Sequence, residues 1–131
     1  MSETTAAELR AWLETFAACV RARDFDDARP MIAEDVVSFG TKAAMVEGRD
    51  NLIARQWRHI WPTIEDFTFD LDTLHWHRAD DTAWAVLTWT SHGSRPDGTP
   101  FPRPGRATFT FAHRDGGWLA THTHFSLFPS P

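Results

Sequence analysis

The chain contains no tyrosine, although seven Trp and ten Phe stand among its 131 residues. Any mechanism built on a phenolic hydroxyl is therefore excluded, while large aromatic bodies without hydroxyls suit an apolar lining. Cys19 is the single cysteine, which rules out an internal disulfide and a thiolate zinc site. Positive charge is in deficit: 13 Lys and Arg against 18 Asp and Glu give a formal net charge of −5. The basic residues are scattered rather than striped, so nucleic acid is not an expected partner. No apolar run approaches the ~20 residues of a membrane helix, so no membrane partner is expected either. The start, Met1 to Thr5, lacks the basic and apolar regions of a signal peptide, and the expected location is the cytoplasm. Neither a Gly-x-Ser-x-Gly elbow nor a glycine-rich phosphate loop is found. Repeats, linkers and low-complexity segments are also missing.

What is present is ordinary globular composition, 42% apolar and 24% charged, in a length that makes one domain over residues 1–131 with a sizeable core. The strongest local signal is Gly105 to Phe128. Two alternating runs rich in Thr, Phe and Trp flank Arg114-Asp115-Gly116-Gly117, the signature of a long β-hairpin. Upstream, Thr5-Ala6-Ala7-Glu8 fits a capping box. Leu9, Trp12, Leu13, Phe16 and Val20 then follow at helical spacing, predicting a helix from Ala6 to Arg23. Asp24 reads as the N-cap of a second, short helix that Pro30 breaks. Val36, Val37 and Phe39 form a brief strand ending at Gly40, and Thr41 to Gly48 is a loop or a short hairpin arm. A third helix spans Arg49 to Trp61, with Ile53, Trp57, Ile60 and Trp61 on one face and Pro62 as its stop. Phe67, Phe69 and Leu71 alternate with polar residues in a strand that continues, past an irregularity, to His77. Thr82 to His92 is the next strand. Gly93 to Gly105, with four prolines and three glycines, reads as a loop. The order predicts an α+β fold: three helices packed on a strongly bent antiparallel sheet, with a conical cavity between.

Five motifs in this order resemble the SnoaL-like branch of the nuclear transport factor 2-like superfamily, which includes ketosteroid isomerases. They are Arg23-Asp24-Phe25-Asp26, Ala33-Glu34-Asp35-Val36-Val37, Val46-Glu47-Gly48, Arg114-Asp115-Gly116-Gly117-Trp118 and His122-Thr123-His124-Phe125-Ser126. The last two also resemble the association domain of calcium/calmodulin-dependent kinases. The resemblance spans nearly the whole chain. It implies a cone-shaped fold with a pocket between sheet and helices, and a dimer, but no single activity, because one scaffold hosts many.

The isomerase chemistry that the resemblance raises needs a carboxylate base and donors for a dienolate oxygen. The base would stand at Phe39-Gly40, and the acidic donor between Trp89 and Ser91. Neither place holds a carboxylate, and the tyrosine donor has no counterpart. His75 with His77 and His122 with His124 are spaced to share a strand face. Two such pairs could chelate zinc, but the expected role is for one His of each pair to hydrogen-bond across strands or across a dimer contact, and no metal or cofactor is expected. Cys19 reads as a small buried hydrophobe.

Strand parity places Ala85, Leu87 and Trp89, then Ala107, Phe109 and Phe111, then Leu119, Thr121, Thr123 and Phe125 inward. Trp84, Trp118, His122 and His124 fall outward. In the kinase association domain the positions matching Trp89, Phe109 and Phe125 carry pocket arginines; here all three are aromatic. The expected ligand-binding residues are therefore Phe39, Trp57, Trp61, Trp89, Phe109, Thr123 and Phe125. They imply a pocket for a small apolar molecule that disfavours anions, since no Lys or Arg points inward by parity. The outer face, with Trp118 and His122, is the expected homodimer contact. Two functions stay open: an isomerase, cyclase or dehydratase acting on a hydrophobic substrate, and a non-catalytic ligand-binding or oligomerisation module. A titratable group in the pocket separates them, and His75, His77, His113 and His59 are the candidates.

Overall fold

The computed structural model describes residues 2–129. Helix α1 (Ser2–Ala22) lays its apolar stripe across a seven-stranded sheet of β1 (Ile32–Phe39), β2 (Val46–Glu47), β3 (Glu65–Ala79), β4 (Thr82–Ser94), β5 (Pro100–Pro102), β6 (Gly105–Arg114) and β7 (Gly117–Leu127). The order is β2-β1-β7-β6-β4-β3, with β5 paired to β4. Helix α2 (Phe25–Ala28) runs into a 3-10 turn at Arg29–Met31, where Pro30 sits. The third helical segment is α3 (Arg49–Leu52), a π turn (Ile53–Trp57), α4 (Arg58–Ile60) and a closing 3-10 turn (Trp61–Thr63). Three helices on a curved, open sheet make the α+β cone.

The sheet is mixed rather than wholly antiparallel, because β1 runs parallel to β7. No hairpin turn joins these two strands, so no local signal sets their relative direction. The long meander β3-β4-β6-β7 is antiparallel throughout. Asp115 and Gly116, with φ of 52° and 81°, turn the β6–β7 hairpin. Positive φ at both central residues is what a turn matched to strand twist requires. The segment 93–105 is less irregular than its prolines imply. β4 extends to Ser94, and β5 pairs back on it, an edge position that proline tolerates.

The first helix begins earlier than its apparent capping box. Thr5 lies inside α1, fully buried, and its hydroxyl accepts a hydrogen bond from Arg78 Nη1 at 3.0 Å. Glu8 instead accepts from the Trp118 indole N–H at 3.2 Å. The helix closes on Arg23 (φ 56°), whose N–H meets Val20 O while that of Asp24 meets Cys19 O, a Schellman closure normally built on glycine. Arg23 compensates through its side chain, which donates to Trp61 O and Ile64 O and pairs with Glu65. That clamp ties the end of α1 to the end of the third helix. Asp24 caps α2 as expected, accepting from Asp27 N at 3.0 Å.

Two irregularities decide which side chains face inward. Register slips between Asp70 and His75, so half-buried Leu74 and Trp76 take the inner side and His75 and His77 are exposed. The second lies in β7: Thr110 pairs with His122 and Phe111 with Ala120, leaving Thr121 unpaired. One extra residue flips the parity of everything before it. Trp118 and Ala120, placed outward by simple alternation, are therefore buried. Trp118 packs under Arg78, at 4.8 Å, and edge-on to His113. Its exposure is already only 6% in the single chain.

The core is aromatic. Phe109, 0% exposed, meets Trp12, Phe16, Phe69, Phe111 and Phe125 with ring centroids 5.4 to 6.4 Å apart. Phe109→Ala should cost about 3–5 kcal/mol, the range for emptying a large core site. Urea denaturation measures it, and a loss under about 1 kcal/mol would show that the ring is not central to the packing.

Candidate functional site

The third helix and the sheet enclose a cavity of ≈ 40 Å³. Trp57 and Trp61, four apart in sequence, stack on each other at 4.6 Å with 20° between planes, and Phe25 continues the stack at 5.1 Å. They form one wall. Phe67, Trp89 and Phe125 form the opposite wall on the sheet, and Phe16 of α1 stands beneath. The apolar stripe of the helix produces this arrangement, with Ile53, Trp57 and Ile60 at helical spacing.

Of the sequence-predicted residues, Trp57, Trp61, Trp89 and Phe125 line the cavity. Phe109 and Thr123 are buried behind its wall, and the Thr123 hydroxyl lies 2.7 Å from that of Ser38. Phe39 lies on the other side of the sheet. Val36 and Ser38 of β1 point inward, so Phe39 points out, where its ring meets the edges of His122 and His124 at 5.0 and 5.2 Å. His122 also shares a 2.7 Å hydrogen bond with Val37 O, the cross-strand role expected of it. His59, His75 and His77 are exposed and His113 is half-buried against Trp118. None of the four lines the cavity. Among the described residues no group of three or more His, Cys, Asp or Glu is placed to hold a metal. Burial pushes the Cys19 thiol above its ordinary pKa, and Asp24 and Asp27 add to the effect, as befits an inert core residue.

The polar lining is what strand parity did not reach: Thr41, Gln56 and Arg103. Arg103 sits between Pro102 and Pro104, just before β6. Its backbone is fixed at both ends by Ser91: its N–H donates to Ser91 O and its carbonyl accepts from Ser91 Oγ, each at 2.8 Å. The guanidinium lies 5.7 Å from the Trp89 ring centroid and donates to Thr41 Oγ1 at 2.7 Å. Burial lowers its pKa, but an arginine stays charged. The lining therefore includes a cation, which strand parity did not place there. Gln56 is 6% exposed, and among the described residues neither its Oε1 nor Trp89 Nε1 has a hydrogen-bond partner. Two glycines make room for these side chains. A Cβ at Gly40 would stand 2.6 Å from Gln56 Cδ, and one at Gly105 would stand 2.2 Å from Trp89 Cζ2. Gln56 carries a sequence signal, a polar residue at an apolar stripe position. Arg103 lies in a segment without periodicity, where the only hint is an arginine held between prolines.

The comparisons agree with this architecture. Residues 9–131 match the SnoaL-like domain, and the chain belongs to that family. It is similar in structure to a nuclear transport factor 2-like superfamily protein from Salmonella enterica (TM-score 0.84, 18% identity, covering 100% of this chain and 95% of that one). A nuclear transport factor 2-like protein of unknown function from Pseudomonas putida gives a TM-score of 0.78 at 24% identity, covering 100% and 99%. A ketosteroid isomerase-like protein from Erwinia carotovora gives 0.80 at 16%, covering 95% and 96%. At these identities the likeness is one of fold. No curated protein matches the chain.

A buried amide oxygen without a donor carries its full desolvation cost. Gln56→Leu should therefore stabilise the free protein, by about 1–3 kcal/mol. Thermal unfolding of wild type and variant measures this. A lower melting temperature for the variant would mean that the amide is satisfied in the free protein.

Proposed function

We propose that the protein binds a small, largely apolar ring molecule in the aromatic cavity, without catalysing its conversion. One observation carries the reading. The cavity is walled by Trp57, Trp61, Trp89 and Phe125, and its polar groups are Thr41, Gln56 and Arg103. Apolar walls with a few placed polar groups are the usual build of a small-molecule site. Isomerase, cyclase or dehydratase chemistry needs a general base within reach of the substrate. Among the described residues lining the cavity there is neither carboxylate nor imidazole, which favours the binding module over the enzyme. At ≈ 40 Å³ the free cavity holds about one water's worth of space. A ring ligand needs more room than this, and side-chain movement at the half-buried lining residues Thr41, Ile60 and Arg103 would supply it.

The test is intrinsic Trp fluorescence on titration with planar aromatic compounds. Quenching is expected, with Trp57→Leu costing about 1–3 kcal/mol in binding through lost area and stacking. A response unchanged by the loss of Trp57 would place the site elsewhere.

The same proposal includes a cytoplasmic homodimer formed through the outer sheet face. Supporting it, Trp84 is 43% exposed there, beside His77 and the hydroxyl pair of Thr110 and Thr121. A large exposed aromatic on a β-surface is a common interface element. Light scattering should give twice the 14.9 kDa chain mass, and Trp84→Glu should halve it. A monomeric mass for the wild type at micromolar concentration contradicts the dimer.

A further inference from the structure

We infer that Arg103 is an anion-recognition residue, and that the ligand of the aromatic cavity is a planar aromatic molecule carrying one carboxylate. This rests on the binding role proposed above and names its ligand class. The first ground is placement. The guanidinium is half-buried in the cavity lining, over the Trp89 ring, on a backbone that Ser91 and the flanking prolines hold. The second is its partners. Among the described residues it donates one side-chain hydrogen bond, to the uncharged Thr41 hydroxyl, and no carboxylate pairs with it. Arg23, Arg29 and Arg114 each have a carboxylate within 4 Å, and Arg21 and Arg49 donate to backbone carbonyls. Arg103 thus combines partial burial with most of its five donors unused. A partly desolvated cation without a counter-charge in the chain gains charge-assisted, bidentate hydrogen bonds when an anion enters.

The third ground is Gln56. Its amide is more than nine-tenths buried in the same lining with its oxygen unpartnered. An ionised carboxylate accepts only, so it pairs with this amide through the amide NH2 and not through the amide oxygen. The remaining lining is aromatic or aliphatic, so the rest of the ligand is a ring. One face of the cavity contacts that ring, and one end holds the charge. No proton or bond is exchanged in this recognition.

The experiment is calorimetric titration of the full chain with benzoate, cinnamate and 2-naphthoate, each against its neutral alcohol. At least one carboxylate should bind wild type about tenfold or more tightly than its alcohol, the scale of one charge-assisted contact. Arg103→Gln should abolish the difference between each carboxylate and its alcohol. Arg103→Lys, which keeps the charge and loses the fork, should fall between. Melting curves establish that each variant is folded, and Arg103→Lys carries the test if Arg103→Gln is not. Equal binding of acid and alcohol, or a carboxylate affinity indifferent to Arg103, overturns this inference and leaves the aromatic binding role standing. Failure of all six compounds to bind overturns both.

Discussion

Everything in this molecule depends on the seating of α1 on the sheet through aromatic contacts. Trp12 and Phe16 stack on each other at 5.2 Å. Trp12 reaches Phe109 and Phe111, whereas Phe16 reaches Trp57, Trp61, Phe109 and Phe125. One residue of α1 therefore touches the third helix and two strands at once. Rings of this size bury the most area per residue, and edge-to-face pairs add to that. Such rings also pack imperfectly when their planes differ, and the cavity lies where the Trp57–Trp61 stack on the helix faces the tilted Phe67, Trp89 and Phe125 set on the sheet. The same packing that holds the fold thus leaves the space that a ligand would occupy.

The polar elements are placed by constraint rather than by chance packing. Arg23 accepts a left-handed backbone and uses its side chain to tie α1 to Trp61 and Ile64, which hold one side of the cavity. The π turn over Ile53–Trp57 puts Gln56 and Trp57 in the lining together. Such turns persist at a cost and recur at functional places. Gly40 and Gly105 lack the Cβ that would collide with Gln56 and Trp89. The π turn and the two glycines position lining residues of one cavity, and Arg23 clamps two others, Trp61 and Ile64.

Much of the fold was legible in the residues alone, and particular positions show why. Asp115-Gly116 announced the hairpin because few residues tolerate positive φ in succession. Ala85, Leu87, Trp89, Ala107, Phe109 and Phe111 alternated cleanly because β4 and β6 pair without slippage. Trp118 was misplaced because Thr121 stands unpaired in β7, and a bulge leaves no mark in the apolar pattern. Thr5 imitated a cap because the four-residue motif is short, and the burial of Thr5 against Arg78 is a tertiary effect. Of the candidate site, Trp57, Trp61, Trp89 and Phe125 were readable from spacing, whereas Phe16 and Phe67 read only as core. Phe39 was not, since its side of β1 depends on Val36 and Ser38 taking the inner positions. Arg103 escaped because its direction is set by contacts with Ser91, Thr41 and Trp89, all far from it in sequence.

The central claim is that one cavity, aromatic along its walls and cationic at one end, is where this protein meets its ligand. A crystal structure grown with 2-naphthoate tests it most directly. The account predicts the rings between Trp57 and Phe125, with a carboxylate oxygen about 2.7–2.9 Å from the Arg103 guanidinium. Naphthoate bound instead on the outer sheet face beside Trp84, with Arg103 turned to solvent and the cavity closed, would contradict it.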